Sequence, residues 1–232
     1  MSYNPKINHR RSIRLKGYDY SQNGLYFVTI CCHDRICRFG DVGAGLAPAQ
    51  MVLNEFGQIA YNEWANLPKR FTNFELDVFQ IMPNHIHGII VLNKSLRGIT
   101  SAQNDAIAKN DDNVPQNTVY KNDAVIQNDM DTILRAGASP APTTVAATTN
   151  ASVSDIVGAY KSLVANACLE IWKLKWAGVV GASPAPTMGK LWQRNYHEHI
   201  IRDEQSYQFI SNYIINNPAK WNEDKFYNSL QS

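Results

Sequence analysis

Two apolar segments separated by one Pro-Asn pair constrain the fold of this chain more than any other feature. Residues 74–82 and 85–92 are rich in β-branched and aromatic residues, which is typical of strands. Pro83 and Asn84 between them are typical of a tight turn. The spacing therefore predicts two antiparallel strands joined by a short connection.

The other periodic segments predict a mixture of strands and helices. In chain order they are a strand at 25–32, a helix within 54–68 that ends before Pro68, a helix at 155–176 capped by Ser154, a strand at 191–201 and a helix at 203–217 capped by Asp203 and ended by Pro218. The apolar stripe of the 155–176 helix runs from Ile156 to Leu174 at helical spacing. In the last helix Tyr207, Ile210 and Ile214 share a stripe that we assign to the core, and Tyr213 lies roughly 100° around the helix from Ile214. We expect an α+β fold, with an antiparallel sheet of about four to five strands and both long helices packed on it.

Two segments differ in composition from the rest of the chain. Between about 95 and 151, Asn, Asp, Thr, Ala and Gln dominate and no periodic apolar pattern persists. A Gly/Pro-rich stretch follows at about 177–189, and the sequence GASPAPT occurs in both segments, at 137–143 and 181–187. We interpret residues 1–232 as a single domain interrupted by a low-complexity insertion and by a second loop.

The composition excludes several classes of protein. No apolar run reaches the roughly 18 residues that a membrane helix needs, and the polar N-terminus lacks the apolar core of a secretory signal. The four cysteines include one adjacent pair and no CxxC spacing, so they do not predict a disulfide framework. These features favour a reduced, cytoplasmic protein with no membrane partner, in which Cys31 and Cys32 are core residues.

Basic residues are concentrated at the N-terminus, although the net charge is only +2. The first 20 residues contain a single acid and five basic side chains: Lys6, Arg10, Arg11, Arg14 and Lys16. Such an arm suits contacts with DNA phosphates, because Lys and Arg displace condensed counterions. A solvated terminus without a ligand explains the same composition equally well.

Two histidines interrupt the apolar segment 85–92. His85 and His87 lie on the same face of a strand, since side chains alternate, and Ile86 faces the other way. Histidines at the surface of an edge strand are the ordinary explanation of such a triplet. That explanation does not apply to an otherwise buried strand, in which two polar side chains are costly unless they have a partner. Two neutral imidazoles suit a divalent metal ion with a third ligand from elsewhere, so we predict a metal site on this face.

A second triplet, His197-Glu198-His199, competes for the same role. Its middle residue is charged and it lies between Arg194 and Arg202, which favours a polar strand facing DNA over a ligand pair. Trp192 and Tyr196 precede it and are candidates for stacking on unpaired bases. A purely structural role, without contact to DNA, explains each of these side chains equally well.

Several sequence blocks resemble one family of DNA-processing enzymes. QIMPNHIHGIIV contains the His-hydrophobic-His (HUH) motif of single-tyrosine transposases, and three other blocks agree with it: RRSIRLKGYDYSQNGLYFVTIC, LNEFGQIAYNEW and LWQRNYHEHIIRDEQSYQFISNYIINNPAKW. The likeness is to the REP-associated tyrosine transposases, which mobilise short palindromic repeats. It covers nearly everything outside 41–50, 95–150 and 177–189. The two of these loops that contain GASPAPT depart from the usual compactness of that family.

This resemblance implies an HUH-type (ferredoxin-like) α+β fold and an endonuclease that nicks and rejoins single-stranded DNA at hairpin repeats. A 5′-phosphotyrosine intermediate forms in that family, with Mg²⁺ or Mn²⁺ as cofactor. The family nucleophile lies in a Tyr-Ile-x-x-Asn-Pro context on the last helix, which Tyr213 matches. His85 and His87 are then metal ligands, with Asn217, or alternatively Asn216, as the third. The implied protein is nucleoid-associated, and is a monomer or homodimer.

The same interpretation assigns DNA contacts to eight side chains: Arg10, Arg11, Arg14, Lys16, Trp192, Arg194, Tyr196 and Arg202. Two other classes of function fit the sequence. One is a hairpin-binding protein that does not cut, its activity having been lost with the loop insertions. The other is a metallohydrolase in which the metal activates water, for which Tyr213→Phe leaves cleavage intact.

Overall fold

The computed structural model of the chain describes residues 14–15, 17–43, 49–93, 150–177 and 187–227. In this part of the chain the elements are β1 (Gly24–Cys31), β2 (Gly40–Val42), β3 (Met51–Leu53), α1 (Glu55–Ala65), α2 (Leu67–Arg70), β4 (Phe74–Met82), β5 (His85–Leu92), α3 (Val153–Ala177), β6 (His197–Ile201) and α4 (Glu204–Asn216), with 3-10 turns at His33–Arg35 and Pro218–Glu223. The predictions for Arg10, Arg11, Lys16 and most of the two inserted segments lie outside the described residues.

Four strands form one antiparallel sheet in the order β4-β5-β1-β6. Strand β5 lies between β4 and β1, where His85 is paired with Cys31 and His87 with Thr29. A separate two-stranded ribbon contains β2 and β3. The predicted α+β fold, with an antiparallel sheet that carries the histidines centrally, is confirmed. The predicted turn at Pro83-Asn84 is also confirmed.

The two faces of the sheet are covered by different helices. Ile86 and Ile90 of β5 face the main core, which they share with Trp64 of α1 and Tyr160 of α3. Ile89, of opposite parity, packs on the other face. There it meets the buried stripe of α4, which consists of Ile210 and Ile214. Because His85 and His87 have the parity of Ile89, their imidazoles face the α4 side of the sheet.

Gly88 permits close contact between β5 and α1. A Cβ atom at this position would lie 2.5 Å from Cζ2 of Trp64, whose side chain is fully buried. We expect Gly88→Ala to lower the free energy of unfolding by about 1–3 kcal/mol, because the indole and the strand must move apart. Gly158→Ala in α3 is the matched control, since its added Cβ has no atom of the described residues within 4 Å apart from its chain neighbours and the backbone of its own helix. Alanine there should stabilise the helix by roughly 0.5–1 kcal/mol. Urea unfolding measures both variants, and a Gly88→Ala variant as stable as the wild type would contradict the contact.

The predicted strand at 191–201 is wrong in its first half. Only His197–Ile201 forms a strand, and before it an isolated bridge joins Trp192 to Cys32. The reason is that a side chain of α3 binds the backbone carbonyls of this segment. Lys161 Nζ donates to the carbonyls of Gln193 and Arg194, at 2.7 and 3.1 Å, so these groups do not pair with a strand.

Helix α3 differs from its prediction at both ends. It begins at Val153, and Ser152 rather than Ser154 caps it, since Ser152 Oγ accepts a hydrogen bond from the Asp155 amide at 3.3 Å. At the other end Leu174 is 64% exposed, because the last turns extend beyond the residues that pack on the sheet. Helix α4 agrees with its prediction, with Asp203 Oδ1 accepting from the Ser206 amide at 2.7 Å.

Within the described ranges, no helix combines the length and the apolar character needed to cross a membrane.

Candidate metal centre and tyrosine

The side chains of the two histidines of β5 contact each other on the face of the sheet that α4 covers. Nε2 of His85 lies 2.9 Å from Nε2 of His87. Both side chains are buried, at 0% and 1% exposure. The strand spacing predicted two imidazoles side by side, and in the structure their Nε2 atoms are in contact.

Asn84 fixes the tautomer of His85. Its Nδ2 donates to the carbonyls of Arg35 and Phe226, at 3.1 and 2.8 Å. Its Oδ1 therefore faces Nδ1 of His85, at 2.9 Å. An amide oxygen only accepts, so Nδ1 carries the hydrogen and the lone pair of Nε2 is left for a metal ion.

Thr29 holds the ring of His87 from the neighbouring strand. Its Oγ1 lies 2.9 Å from Nδ1 of His87, and the threonine is 4% exposed. The hydroxyl can accept a hydrogen bond from Nδ1, which leaves the Nε2 lone pair of His87 toward His85. Both imidazoles thus have the outer partner that metal-binding histidines typically have.

Tyr213 of α4 reaches the histidine pair. Its hydroxyl lies 3.2 Å from Nε2 of His87, and its ring meets Phe27 edge-on at a centroid distance of 6.2 Å. The helical spacing predicted that Tyr213 would avoid the buried stripe of Ile210 and Ile214, and its side chain is 36% exposed. The phenol is therefore partly open to solvent, and its oxygen is in direct contact with the histidine pair.

Asp224, which the sequence gave no reason to select, completes the cluster. One ligand atom from each of His85, His87 and Asp224 lies within 4.8 Å of the other two. Asp224 Oδ2 also accepts hydrogen bonds from the Tyr213 hydroxyl at 3.4 Å and from Asn217 Nδ2 at 2.9 Å. Two imidazoles and a carboxylate are a donor set for a divalent metal, so these three residues can hold one.

The two asparagines proposed as the third ligand have different environments. Asn217 is 3% exposed, and its Oδ1 has no hydrogen-bond partner among the described residues. Asn216 is exposed, and its Nδ2 donates to the Asn212 carbonyl at 2.7 Å. A buried unpaired oxygen fits a metal donor, so the environment favours Asn217 over Asn216. The role of Asn217 as a ligand stays a prediction.

Burial controls the protonation of the cluster. It lowers the pKa of His85 to about 3, with smaller effects from Lys225 and Arg35. Burial, followed by His85, also lowers the pKa of His87 well below its ordinary value. Burial and the charge of Asp224 raise the pKa of Tyr213 to about 12. In the metal-free protein at neutral pH the phenol is protonated and the imidazoles are neutral, which is the form that binds metals.

We expect the metal-free protein to lose stability as the pH falls below about 6.5, because unfolded histidines bind protons there that the folded pair does not. This contribution is complete above that pH and is lost progressively toward pH 3. By pH 5 the loss should be roughly 2–4 kcal/mol. Urea unfolding at pH 7 and 5 with a chelator measures it, and the exposed His197→Gln variant should show the same loss as the wild type. An unchanged free energy of unfolding would contradict burial of the neutral pair.

Several residues of the predicted DNA-contacting set lie around β6. Arg194 and Arg202 are exposed before and after the strand. Trp192 is 8% exposed and its Nε1 donates to the Lys161 carbonyl at 2.9 Å, a placement that leaves little of the ring for a base. The structure therefore gives Trp192 a structural environment, while the two arginines remain free of the core.

Arg14 and Tyr196 contact each other. Arg14 Nη2 donates to the Tyr196 hydroxyl at 2.8 Å, and its guanidinium lies 5.2 Å from the centroid of the Tyr196 ring. Arg14 Nε also lies 3.4 Å from Oε1 of Glu198, whose side chain is 2% exposed. These contacts attach the end of the basic arm to β6, and the predicted DNA contacts of Arg14 and Tyr196 stay predictions.

The second triplet does not form a metal cluster within the described ranges. His197 and His199 are exposed, on the same face of the sheet as Thr29 and Phe27, with which they are paired. Among the residues described, His85, His87 and Asp224 form the one group of three or more metal-ligating side chains. The interpretation of the second triplet as a polar strand is therefore favoured over a ligand pair.

An open cavity of about 390 Å³ adjoins the His87–Tyr213 contact. It is lined by side chains from β1, β5, α4 and the turn after it: Phe27, Thr29, His87, Phe209, Ile210, Tyr213, Glu223, Asp224 and Lys225. A ligand in this cavity can therefore contact Tyr213, His87 and Asp224 together.

Comparisons with known proteins identify relatives of the chain. No family model matches it. It is 36% identical over 225 residues to an uncharacterized protein of Haemophilus influenzae, and the match covers 97% of each chain. The two proteins belong to one family.

Two solved structures are also similar to the chain. One is a REP-associated tyrosine transposase bound to a REP hairpin, 16% identical with a TM-score of 0.45, covering 91% of this chain and 76% of that one. The other is a putative transposase from Deinococcus radiodurans R1, 13% identical with a TM-score of 0.35, covering 88% and 95%.

Proposed function

We propose that the chain is a metal-dependent single-tyrosine transposase that nicks and rejoins single-stranded DNA at hairpin repeats. The observation that carries the proposal is the position of the Tyr213 hydroxyl, 3.2 Å from His87 and beside a His-His-Asp cluster. A phenol, two neutral imidazoles and a carboxylate that lie together beside an open cavity are the groups that phosphodiester transfer to a tyrosine needs. The sequence blocks that resemble REP-associated tyrosine transposases include His85, His87 and Tyr213, but not Asp224.

Tyr213 is the nucleophile in this proposal. Its oxygen forms a bond to phosphorus while the bond from phosphorus to the 3′ oxygen breaks, and that oxygen leaves as a hydroxyl with a proton from solvent. The phenolic proton passes to Asp224, which already accepts a hydrogen bond from Tyr213. The phosphotyrosine link retains the energy of the phosphodiester, so a 3′-hydroxyl can reverse the reaction without a nucleotide cofactor.

Mg²⁺ or Mn²⁺ fits the donor set of His85, His87 and Asp224. The unpaired buried Oδ1 of Asn217 is a candidate for a further donor. Bound there, the cation would polarise the scissile phosphate and favour the phenolate of Tyr213. Asn84 and Thr29 hold the two imidazoles with Nε2 directed into the cluster, so the ligands need little reorganisation.

The DNA partner is expected to extend from the cavity along β6. Arg194 and Arg202 are exposed cations at the two ends of this strand, with His197 and His199 between them. Arg14 attaches the basic arm to the same strand through Tyr196 and Glu198. We propose that these groups contact phosphates, and that residues 1–232 act as a single domain, as a monomer or homodimer.

A labelled hairpin oligonucleotide with single-stranded flanks, incubated with the protein and Mn²⁺, tests the proposal. We expect part of the label to migrate with the protein on a denaturing gel. Binding without an adduct or a nick would instead identify a hairpin-binding protein. A nick that leaves a free 5′-phosphate and no adduct would identify a hydrolase.

A further inference from the structure

Phe209 is an exposed aromatic side chain beside the candidate site. Its side chain is 74% exposed, and it lies one helical turn before Tyr213 on α4. Ile210 and Ile214 anchor the buried side of this helix to the sheet, so Phe209 is not required by the core. It lines the same cavity as Tyr213.

The other rings at this cavity already have partners. His87 stacks on Phe27 with centroids 5.4 Å apart and an interplanar angle of 30°. Tyr213 meets Phe27 edge-on at 6.2 Å. Phe209 takes part in no ring pair within the part of the chain that the structure describes, so its ring is available to a flat ligand from outside.

Lys225 places a positive charge at the same cavity. Its side chain is exposed, and Nζ lies 4.8 Å from the centroid of the Phe226 ring. The ring orients the ammonium without neutralising it. An aromatic platform next to a cation is the pattern with which proteins bind unpaired nucleotides.

We propose that Phe209 and Lys225 form a subsite for one unpaired nucleotide, whose base stacks on Phe209 and whose phosphate contacts Lys225. The subsite rests on the proposed function, because its ligand is single-stranded DNA. Four residues of α4 span about 6 Å along the helix axis, so the stacked base belongs to a nucleotide near the phosphate that Tyr213 attacks. Stacking accepts any base, so this subsite holds the strand without reading its sequence.

Binding in the absence of metal tests the subsite separately from cleavage. The probe is a fluorescent hairpin oligonucleotide with thymidine flanks, and its anisotropy gives the dissociation constant. Phe209→Ala should weaken binding roughly 5- to 150-fold, whereas Phe209→Trp should bind at least as well as the wild type. Lys225→Gln should lower the slope of log affinity against log salt by about 1, and Phe209→Ala should leave that slope unchanged.

A scan with abasic sites identifies the stacked nucleotide. At one position in the flank an abasic site should weaken wild-type binding and leave Phe209→Ala binding unchanged, because the base and the ring are lost from the same contact. Equal affinity of Phe209→Ala and the wild type, or losses that add at every position, would overturn the subsite. If this coupling appears in a protein that never nicks DNA, the subsite stands and the proposed activity fails.

Discussion

Tyr213→Phe should abolish nicking of a hairpin oligonucleotide, with a fall in rate on the order of 10³-fold or more. The substitution removes the oxygen that attacks phosphorus and leaves the ring against Phe27 and His87. Because the side chain is partly exposed, the free energy of unfolding should change by less than about 1 kcal/mol. Single-turnover cleavage of a labelled oligonucleotide at saturating protein and Mn²⁺ measures the effect.

Tyr207→Phe on the same helix is the matched control. The Tyr207 hydroxyl donates to both carboxylate oxygens of Asp77, at 3.1 and 3.2 Å, and this contact directs it toward β4 and away from the His-His-Asp cluster. Its loss should cost about 1.5–3 kcal/mol of stability and leave the nicking rate within a few-fold of the wild type. If Tyr213→Phe nicked at the rate of Tyr207→Phe, water or another residue would be the nucleophile.

His87→Ala should abolish metal binding at the cluster. Removing a group that only supports a metal ligand typically costs 10- to 100-fold in affinity. Loss of a ligand itself should therefore cost at least about 100-fold, and Mn²⁺-dependent nicking should fall by a similar factor. Mn²⁺ at 100 times its dissociation constant should stabilise the wild type by about 2.7 kcal/mol, and at the same concentration it should stabilise the variant by no more than about 0.4 kcal/mol.

His199→Ala is the control for the histidine substitution, because His199 is an exposed histidine of β6 outside the His-His-Asp cluster. Its thermal midpoint should rise with Mn²⁺ as much as that of the wild type. Titration calorimetry and thermal unfolding, each with and without a chelator, measure both variants. An unchanged midpoint shift in His87→Ala would show that the metal binds elsewhere.

The sequence predicted the features that depend on local periodicity. Side chains alternate along a strand, so a two-residue spacing was enough to place His85 and His87 on one face. The helical period was likewise enough to separate Tyr213 from the buried stripe of Ile210 and Ile214. Both predictions required only the type of element and the position of each residue within it.

The partners of these side chains come from distant parts of the chain. Thr29 and His87 are separated by 58 positions, and they meet only because β1 pairs with β5. Asp224 lies just after a 3-10 turn that returns the chain to the site beyond α4. No periodic pattern includes Asp224. The sequence therefore predicted Asn217, which belongs to the Tyr-Ile-x-x-Asn-Pro motif, as the third ligand and gave no indication of Asp224, to which Asn217 is hydrogen-bonded.

The first half of the strand predicted at 191–201 illustrates a different limit. Trp192 and Tyr196 are residue types common in strands, but Lys161 of α3 binds the carbonyls of Gln193 and Arg194. Trp192 is also directed into the core and donates to the backbone of α3. A tertiary contact thus overrides local preference, and this contact does not appear in the sequence pattern.

Mass spectrometry of the protein after incubation with Mn²⁺ and a hairpin oligonucleotide tests the central claim most directly. After nuclease and protease digestion, a nucleotide should remain attached through its 5′-phosphate to the peptide that contains Tyr213, and to no other tyrosine. The attachment should be absent without metal. A nicked oligonucleotide with every peptide unmodified, or an adduct on a tyrosine away from His85 and His87, would contradict the account.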